Sequence, residues 1–166
     1  PGSPEPYRSD SWRIYTRTDG LEMGRGPRTF QSSDGNIWAV SNDAWADINR
    51  FDGSTWEVVR HGIPDAKTTH TSILETQDRT LWIGGNALLS RRDGTWRLHT
   101  PADLDLPSVR TRLLSTSDGH LWVAGFEDHA VRLDYGNSRV RTYSDVAYQT
   151  EGADGSRWFV SERGVA

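Results

Sequence analysis

The sequence predicts an all-β fold made by repeating one four-stranded antiparallel unit, and three observations carry that prediction. Trp12 and Trp38, Trp56 and Trp82, and Trp96 and Trp122 are each separated by the same 26 residues. The second tryptophan of each pair closes a matching run: Asp34-Gly35-Asn36-Ile37-Trp38, Asp78-Arg79-Thr80-Leu81-Trp82 and Asp118-Gly119-His120-Leu121-Trp122, with a fourth copy at Asp154-Gly155-Ser156-Arg157-Trp158. Composition is the third: 8 Trp and 16 Gly in 166 residues suit many short strands joined by tight turns. Self-similarity at a period of a few tens of residues marks solenoids and propellers.

Each unit reads as strand, turn, strand, repeated once. Strand A is the β-prone run before the first Asp-Gly, such as 71–75 or 111–115, and strand B surrounds the repeated tryptophan. Asp-Gly between such runs signals a tight primed hairpin, because glycine adopts positive φ without steric cost. In the second copy Arg79 replaces the glycine, so either the turn changes type or a non-glycine residue takes a strained conformation. A second turn lies at Asp52-Gly53, at Asp93-Gly94 and, more loosely, within 133–140, separating strand C from strand D over 56–59, 96–99 and 140–143. No helix is signalled, since no stretch sustains apolar spacing at three and four residues.

Four-stranded units at a period near 40 describe the blades of a β-propeller. The expected layout is a disordered or linker N-terminus over 1–11 and propeller repeats over 12–166. The repeats begin with an orphan D strand at 12–15, followed by blades at about 28–59, 69–99 and 109–144 and a partial blade at 146–166. The run ends where a fourth strand C would begin, and it opens on Pro1. The expectation is therefore a segment of a longer propeller; alternatively, the orphan strand completes the last blade and closes a four-bladed ring, removing exposed strand edges.

A Trp strand followed by Tyr15-Thr16 and Asp19-Gly20-Leu21, then Asp-Gly-x-[Ile/Leu]-Trp, then Arg-x-Asp-Gly-x-Trp, resembles the two-component regulator propeller repeat over nearly the whole chain. The resemblance implies a bacterial sensor module, periplasmic or extracellular, whose remaining blades and signalling output lie elsewhere in the parent protein. Individual repeats also resemble the tectonin repeat of certain lectins, which implies carbohydrate binding. Streptogramin lyase is a related propeller with catalytic activity, so a lyase-like enzyme is the remote alternative.

The chemistry-bearing residues narrow the function. With 19 basic and 23 acidic residues, net charge −4, and both signs interspersed, there is no electrostatic footprint for nucleic acid. The absence of cysteine removes disulfides and thiol nucleophiles. No run of 18 apolar residues occurs, so direct membrane contact is not expected of this segment. The five histidines show neither metal-ligand spacing nor a nucleophile motif. No catalytic residue, metal or cofactor is expected. Asp34, Asp78, Asp118 and Asp154 recur as turn formers, and Trp38, Trp82, Trp122 and Trp158 as wedges between blades.

A four-stranded meander places its A–B and C–D turns at one end and its B–C and D–A connections at the other. The irregular connections share the second end, where variable loops on a rigid scaffold favour binding. Trp45 and Phe126 are the candidate stacking surfaces there, with Asp43, Asp47, Glu127, Asp128 and His129 as polar partners. Counting ten residues back from each B-strand tryptophan adds Arg28, Ser72, Arg112 and Tyr148 near the inner rim. The expected partner is a small polar ligand, a glycan or another protein, with arginines supplying forked hydrogen bonds.

Overall fold

A computed structural model describes residues 13–42, 48–63, 69–104, 112–124, 129–134, 139–161 and 163–165. Among them four antiparallel sheets follow one another along the chain. Blade 1 contains β1 (Arg28–Gln31), β2 (Ile37–Val40), β3 (Ile48–Phe51) and β4 (Trp56–Val59). Blade 2 contains β5 (His70–Glu75), β6 (Leu81–Gly85), β7 (Leu88–Arg92) and β8 (Thr95–His99). Blade 3 contains β9 (Arg112–Ser115), β10 (Leu121–Ala124), β11 (His129–Asp134) and β12 (Arg139–Ser144), and blade 4 contains β13 (Ala147–Glu151), β14 (Arg157–Ser161) and β15 (Gly164–Val165). Strands are ordered sequentially in every sheet. Inner strands β1, β5 and β9 lie side by side and line the axial side.

Alternation along each B strand builds the core between blades. In β6, Leu81 and Ile83 point back to pack with Trp38, Val40 and Ile48 of blade 1. Trp82, between them in sequence, faces forward with Leu88 onto Leu113, Leu121, Val123 and Val131 of blade 3. The period of two turns one apolar strand into the shared wall of two interfaces. Trp122 repeats the arrangement with Ala124, Ala130 and Tyr148. Trp38, Trp82 and Trp122 are 1%, 7% and 1% exposed, whereas Trp158, with no following blade among the described residues, is 47% exposed.

The A–B turns depart from the two-residue primed hairpin. In blade 1 the Gly35 N–H donates to Ser32 O and the Ser32 N–H to Asn36 O, both at 2.9 Å, with Gly35 at φ 86°. This is a three-residue loop ending in a left-handed residue. The same pair of bonds closes 76–80, 116–120 and 152–156. Arg79 therefore occupies the left-handed position itself, at φ 62°, which resolves the ambiguity at that turn. The two-residue primed form occurs instead at the second turn of blade 2. There Arg92 pairs with Thr95, and Asp93 and Gly94 have φ of 49° and 80°.

One further expectation is corrected. Residues 13–15, the described part of the orphan D strand, form no strand ladder. A D strand exists only through a neighbouring C strand, and among the described residues no strand is paired with 13–15 or with the outer edge of β15. Tyr15 nonetheless packs on Phe51 and Trp56, with ring centroids 5.0 and 5.8 Å away. Short helical turns also occur, at Arg17–Asp19 and in α1 (Pro101–Leu104). Each is opened by a Thr-x-x-Asp box: the Thr16 N–H donates to Asp19 at 2.8 Å, and the Thr100 N–H to Asp103 at 2.7 Å. Among the described residues no helix is long and apolar enough to cross a membrane.

Candidate functional site

The repeat has a polar hub at its turn end. In blade 1 the Ser32 hydroxyl donates to Asp34 at 2.5 Å and accepts the Trp38 indole N–H at 3.0 Å. Thr76 does the same with Asp78 at 2.7 Å and Trp82 at 3.1 Å. Thr116 donates to Asp118 at 2.6 Å, but the indole nitrogen of Trp122 is buried without a hydrogen bond among the described residues. In blade 4 Gly152 holds the hub position, and the Ser156 hydroxyl accepts the Trp158 indole at 3.1 Å instead. The signal that could have revealed these hydroxyls was present: Ser or Thr precedes the tryptophan by six residues in three copies.

These bonds account for the recurrent aspartates. The Ser32 hydroxyl, then the Asn36 N–H and side chain, hold the Asp34 carboxyl below its ordinary value against the opposing effect of burial. Burial opposes ionisation of Asp78, but Thr76, Thr80 and the Arg92 guanidinium outweigh it and lower the value. At Asp52 the Thr55 and Ser54 N–H groups, each 2.8 Å away, push the carboxyl well below the usual range. Glutamates then join neighbouring turns. Glu75 accepts the Ser33 N–H and hydroxyl at 2.5 and 2.9 Å, and Glu151 accepts those of Ser117 at 2.8 and 2.6 Å. In blade 3 the equivalent residue is Ser115, and there Gln77 lies against Gly119, where an added Cβ would sit 2.9 Å from its Oε1.

A charged chain crosses the same end of blade 3. His120 lies 2.8 Å from Asp118 through Nδ1 and 3.1 Å from Asp134 through Nε2, and the Arg132 Nε is 2.8 Å from Asp134. Arg157 of blade 4 completes it by pairing with Asp118. Burial disfavours ionised Asp134, yet Arg132, His120 and Arg141 together lower its value. Among the described residues no three His, Asp or Glu side chains are placed to hold a metal ion.

The opening on the axial side is at the inner strands. A groove of about 450 Å³ is lined by Arg28 and Thr29 of β1, Thr71, Ser72 and Ile73 of β5, and Arg112, Leu113 and Leu114 of β9. Register explains the convergence. Arg28 pairs with Val40, Ser72 with Gly84 and Arg112 with Ala124, each partner lying two residues after the B-strand tryptophan. Three neighbouring blades thus present the same ladder position to one opening. Arg28 and Arg112 are exposed, and neither guanidinium has an ion-pair or hydrogen-bond partner among the described residues.

Tyr148 does not belong to this set, and the reason is a β-bulge. Between Tyr148 and Thr150 the register shifts, so Thr150 pairs with Trp158, Tyr148 with Phe159 and Ala147 with Val160. Ala147 therefore holds the ladder position of Arg28, Ser72 and Arg112. One inserted residue moves a side chain to the opposite face of its strand. Tyr148 takes the place held by Ile73 and Leu113, is 2% exposed, and stacks on Trp122.

The remaining expected site residues are separately placed. His129 opens β11, pairs with Ser144 and is partly buried. Trp45, Phe126 and Asp128, with Asp43, Asp47 and Glu127, lie outside the described residues. Around blade 1 the D–A connection is anchored: Asn49 accepts the Glu22 N–H at 2.9 Å and donates to the Glu22 carbonyl at 2.6 Å, while the Gly24 N–H donates to the Ser41 hydroxyl at 3.1 Å.

No family model matches this chain, and no curated protein matches it. Among solved structures it is similar to virginiamycin B lyase from Staphylococcus aureus, with a TM-score of 0.61 and 19% identity over 83% of this chain and 53% of that one. A catalytically inactive form of that lyase with quinupristin is similar at a TM-score of 0.59, with the same identity and coverage. The extracellular domain of a hybrid two-component system from B. thetaiotaomicron is similar at a TM-score of 0.62 and 16% identity, over 98% of this chain and 24% of that one. This chain spans about half the length of the lyase chains and about a quarter of the sensor chain. Likeness at such identities is a likeness of fold, and the fold shared by this chain is the β-propeller.

Proposed function

We propose that this chain is a non-catalytic sensing module that binds a small polar ligand on the axial side of its blades, within the periplasmic or extracellular region of a two-component signalling protein. The observation that carries the reading is the groove where β1, β5 and β9 present Arg28, Ser72 and Arg112 at one ladder position. Unpaired guanidiniums on rigid strands are suited to holding a ligand with little reorganisation. The fold likeness to a two-component extracellular domain supports the sensor assignment.

Thermal-shift screening of the chain against small polar molecules and glycans tests the reading. A ligand that raises the transition temperature, and loses that effect in Arg28→Ala, is the expected result. The lyase neighbour crystallised with quinupristin supplies the counter-test. Conversion of quinupristin by this chain would replace the non-catalytic reading with an enzymatic one.

A further inference from the structure

We infer that the groove takes a ligand with two negative charges at its ends and an apolar middle, held between Arg28 and Arg112. The inference rests on the ligand-binding reading of this groove and specifies its chemistry.

The donor balance of the lining comes first. Guanidinium groups donate hydrogen bonds and accept none. The hydroxyls of Thr29 and Ser72 can do both, but among the described lining residues there is no carboxylate and no side-chain amide. Sugar hydroxyls donate as well as accept, so a neutral glycan in this groove would meet more side-chain donors than side-chain acceptors. Acceptor-only oxygens of carboxylate, sulfate or phosphate fit two guanidiniums without that penalty.

Placement supplies the second step. The arginines stand on blades 1 and 3 at equivalent ladder positions, with blade 2 between them contributing Ser72 and the aliphatic Ile73. Leu113 and Leu114 extend the apolar lining beside Arg112. Blade 4 carries Ala147 at the corresponding position, so the charged pair has no third member there. Two unpaired like charges facing one opening repel each other, and a single anion neutralises only one. A dianion spanning blade 2 neutralises both and lays its apolar middle across β5, beside the partly buried Ile73.

The test is a methyl-resolved NMR titration of the chain with adipate and terephthalate as dianions, hexanoate and benzoate as monoanions, and glucose as a neutral sugar. The dianions are expected to shift the Ile73, Leu113 and Leu114 methyls and to bind at least tenfold more tightly than the monoanions. Arg28→Ala and Arg112→Ala should each reduce dianion affinity to the monoanion level while leaving the unfolding midpoint unchanged, because both side chains are exposed and unpaired among the described residues. Dianion affinity should also fall steeply as salt is raised.

Equal affinity for monoanions and dianions overturns the inference, as does dianion binding that survives either substitution. Glucose shifting the same methyls independently of both arginines would leave the ligand-binding reading intact and remove the dianion. If none of the five probes perturbs these methyls, both readings fall.

Discussion

The Tyr148 ring stacks on the Trp122 indole with centroids 4.7 Å apart and planes 20° from parallel, joining blade 4 to blade 3. Phe159 and Tyr143 complete the cluster, at 5.4 and 5.3 Å from the same indole. In earlier blades the position facing the wedge tryptophan belongs to Ile73 or Leu113, so Tyr148 is the aromatic version of an apolar contact. Tyr148→Ala should lower stability by about 3–4 kcal/mol as a buried aromatic deletion. Tyr148→Leu, which restores the side chain of Leu113, should cost under about 1.5 kcal/mol. Denaturant unfolding of the two variants checks the pair.

Position along the array should decide what a tryptophan contributes. Trp122→Ala is expected to cost about 3–5 kcal/mol, because its ring is covered on both sides of a blade interface. Trp158→Ala should cost about half as much in this chain, since nearly half of that side chain faces solvent. Similar losses for the two would contradict the wedge assignment.

The indole nitrogens provide a finer comparison. Trp82→Phe breaks a bond to the buried Thr76 hydroxyl, whereas Trp122→Phe removes an N–H that has no partner among the described residues. The first should be more destabilising than the second by about 1 kcal/mol. Parallel thermal unfolding curves would reveal the difference.

Arg79 holds a left-handed backbone position that glycine fills in the equivalent turns of the other three blades. Left-handed geometry costs a side-chain-bearing residue about 1–2 kcal/mol, part of which glycine gives back as unfolded-state entropy. Arg79→Gly should therefore raise stability by about 0.5–1 kcal/mol, read as an upward shift of the denaturant midpoint with unchanged slope.

His99 should impose a pH dependence on the blade 2 interface. Its ring lies 5.1 Å from Trp82 and its Nε2 is 2.8 Å from the Ser90 hydroxyl. Burial, assisted by Arg97, pushes the imidazole down to about 4. Between an unfolded value near 6.5 and this folded value, the unfolded chain binds a proton that the folded chain does not. Stability is thus fully present above about pH 6.5 and declines as pH falls toward 4, by about 2 kcal/mol after allowance for partial exposure. The equivalent residues in blades 1 and 3 are Val59 and Tyr143, so His99→Val should flatten this limb of a stability–pH curve.

Much of the architecture was legible because it depends on short-range chemistry. The 26-residue tryptophan spacing and the repeated Asp-Gly placed the strands and turns, since turn formation and two-residue alternation are decided within a few neighbours. The same reasoning left open whether Arg79 strains or reshapes its turn, and a hydrogen-bonded loop decided for strain. It also assigned Asp-Gly to primed hairpins at positions where a three-residue loop forms.

Counting from the tryptophans put Arg28, Ser72 and Arg112 at one ladder position, because their strands keep regular register up to those residues. The count failed at Tyr148, because a bulge costs little locally and is selected by how the strand packs against the preceding blade. By itself, the sequence determined the repeated unit, the order of its strands and the identity of the wedge residues. Only the tertiary structure decided which side chains share an opening and which vanish into an interface, because a one-residue shift reverses a strand's faces and that shift is governed by contacts between blades.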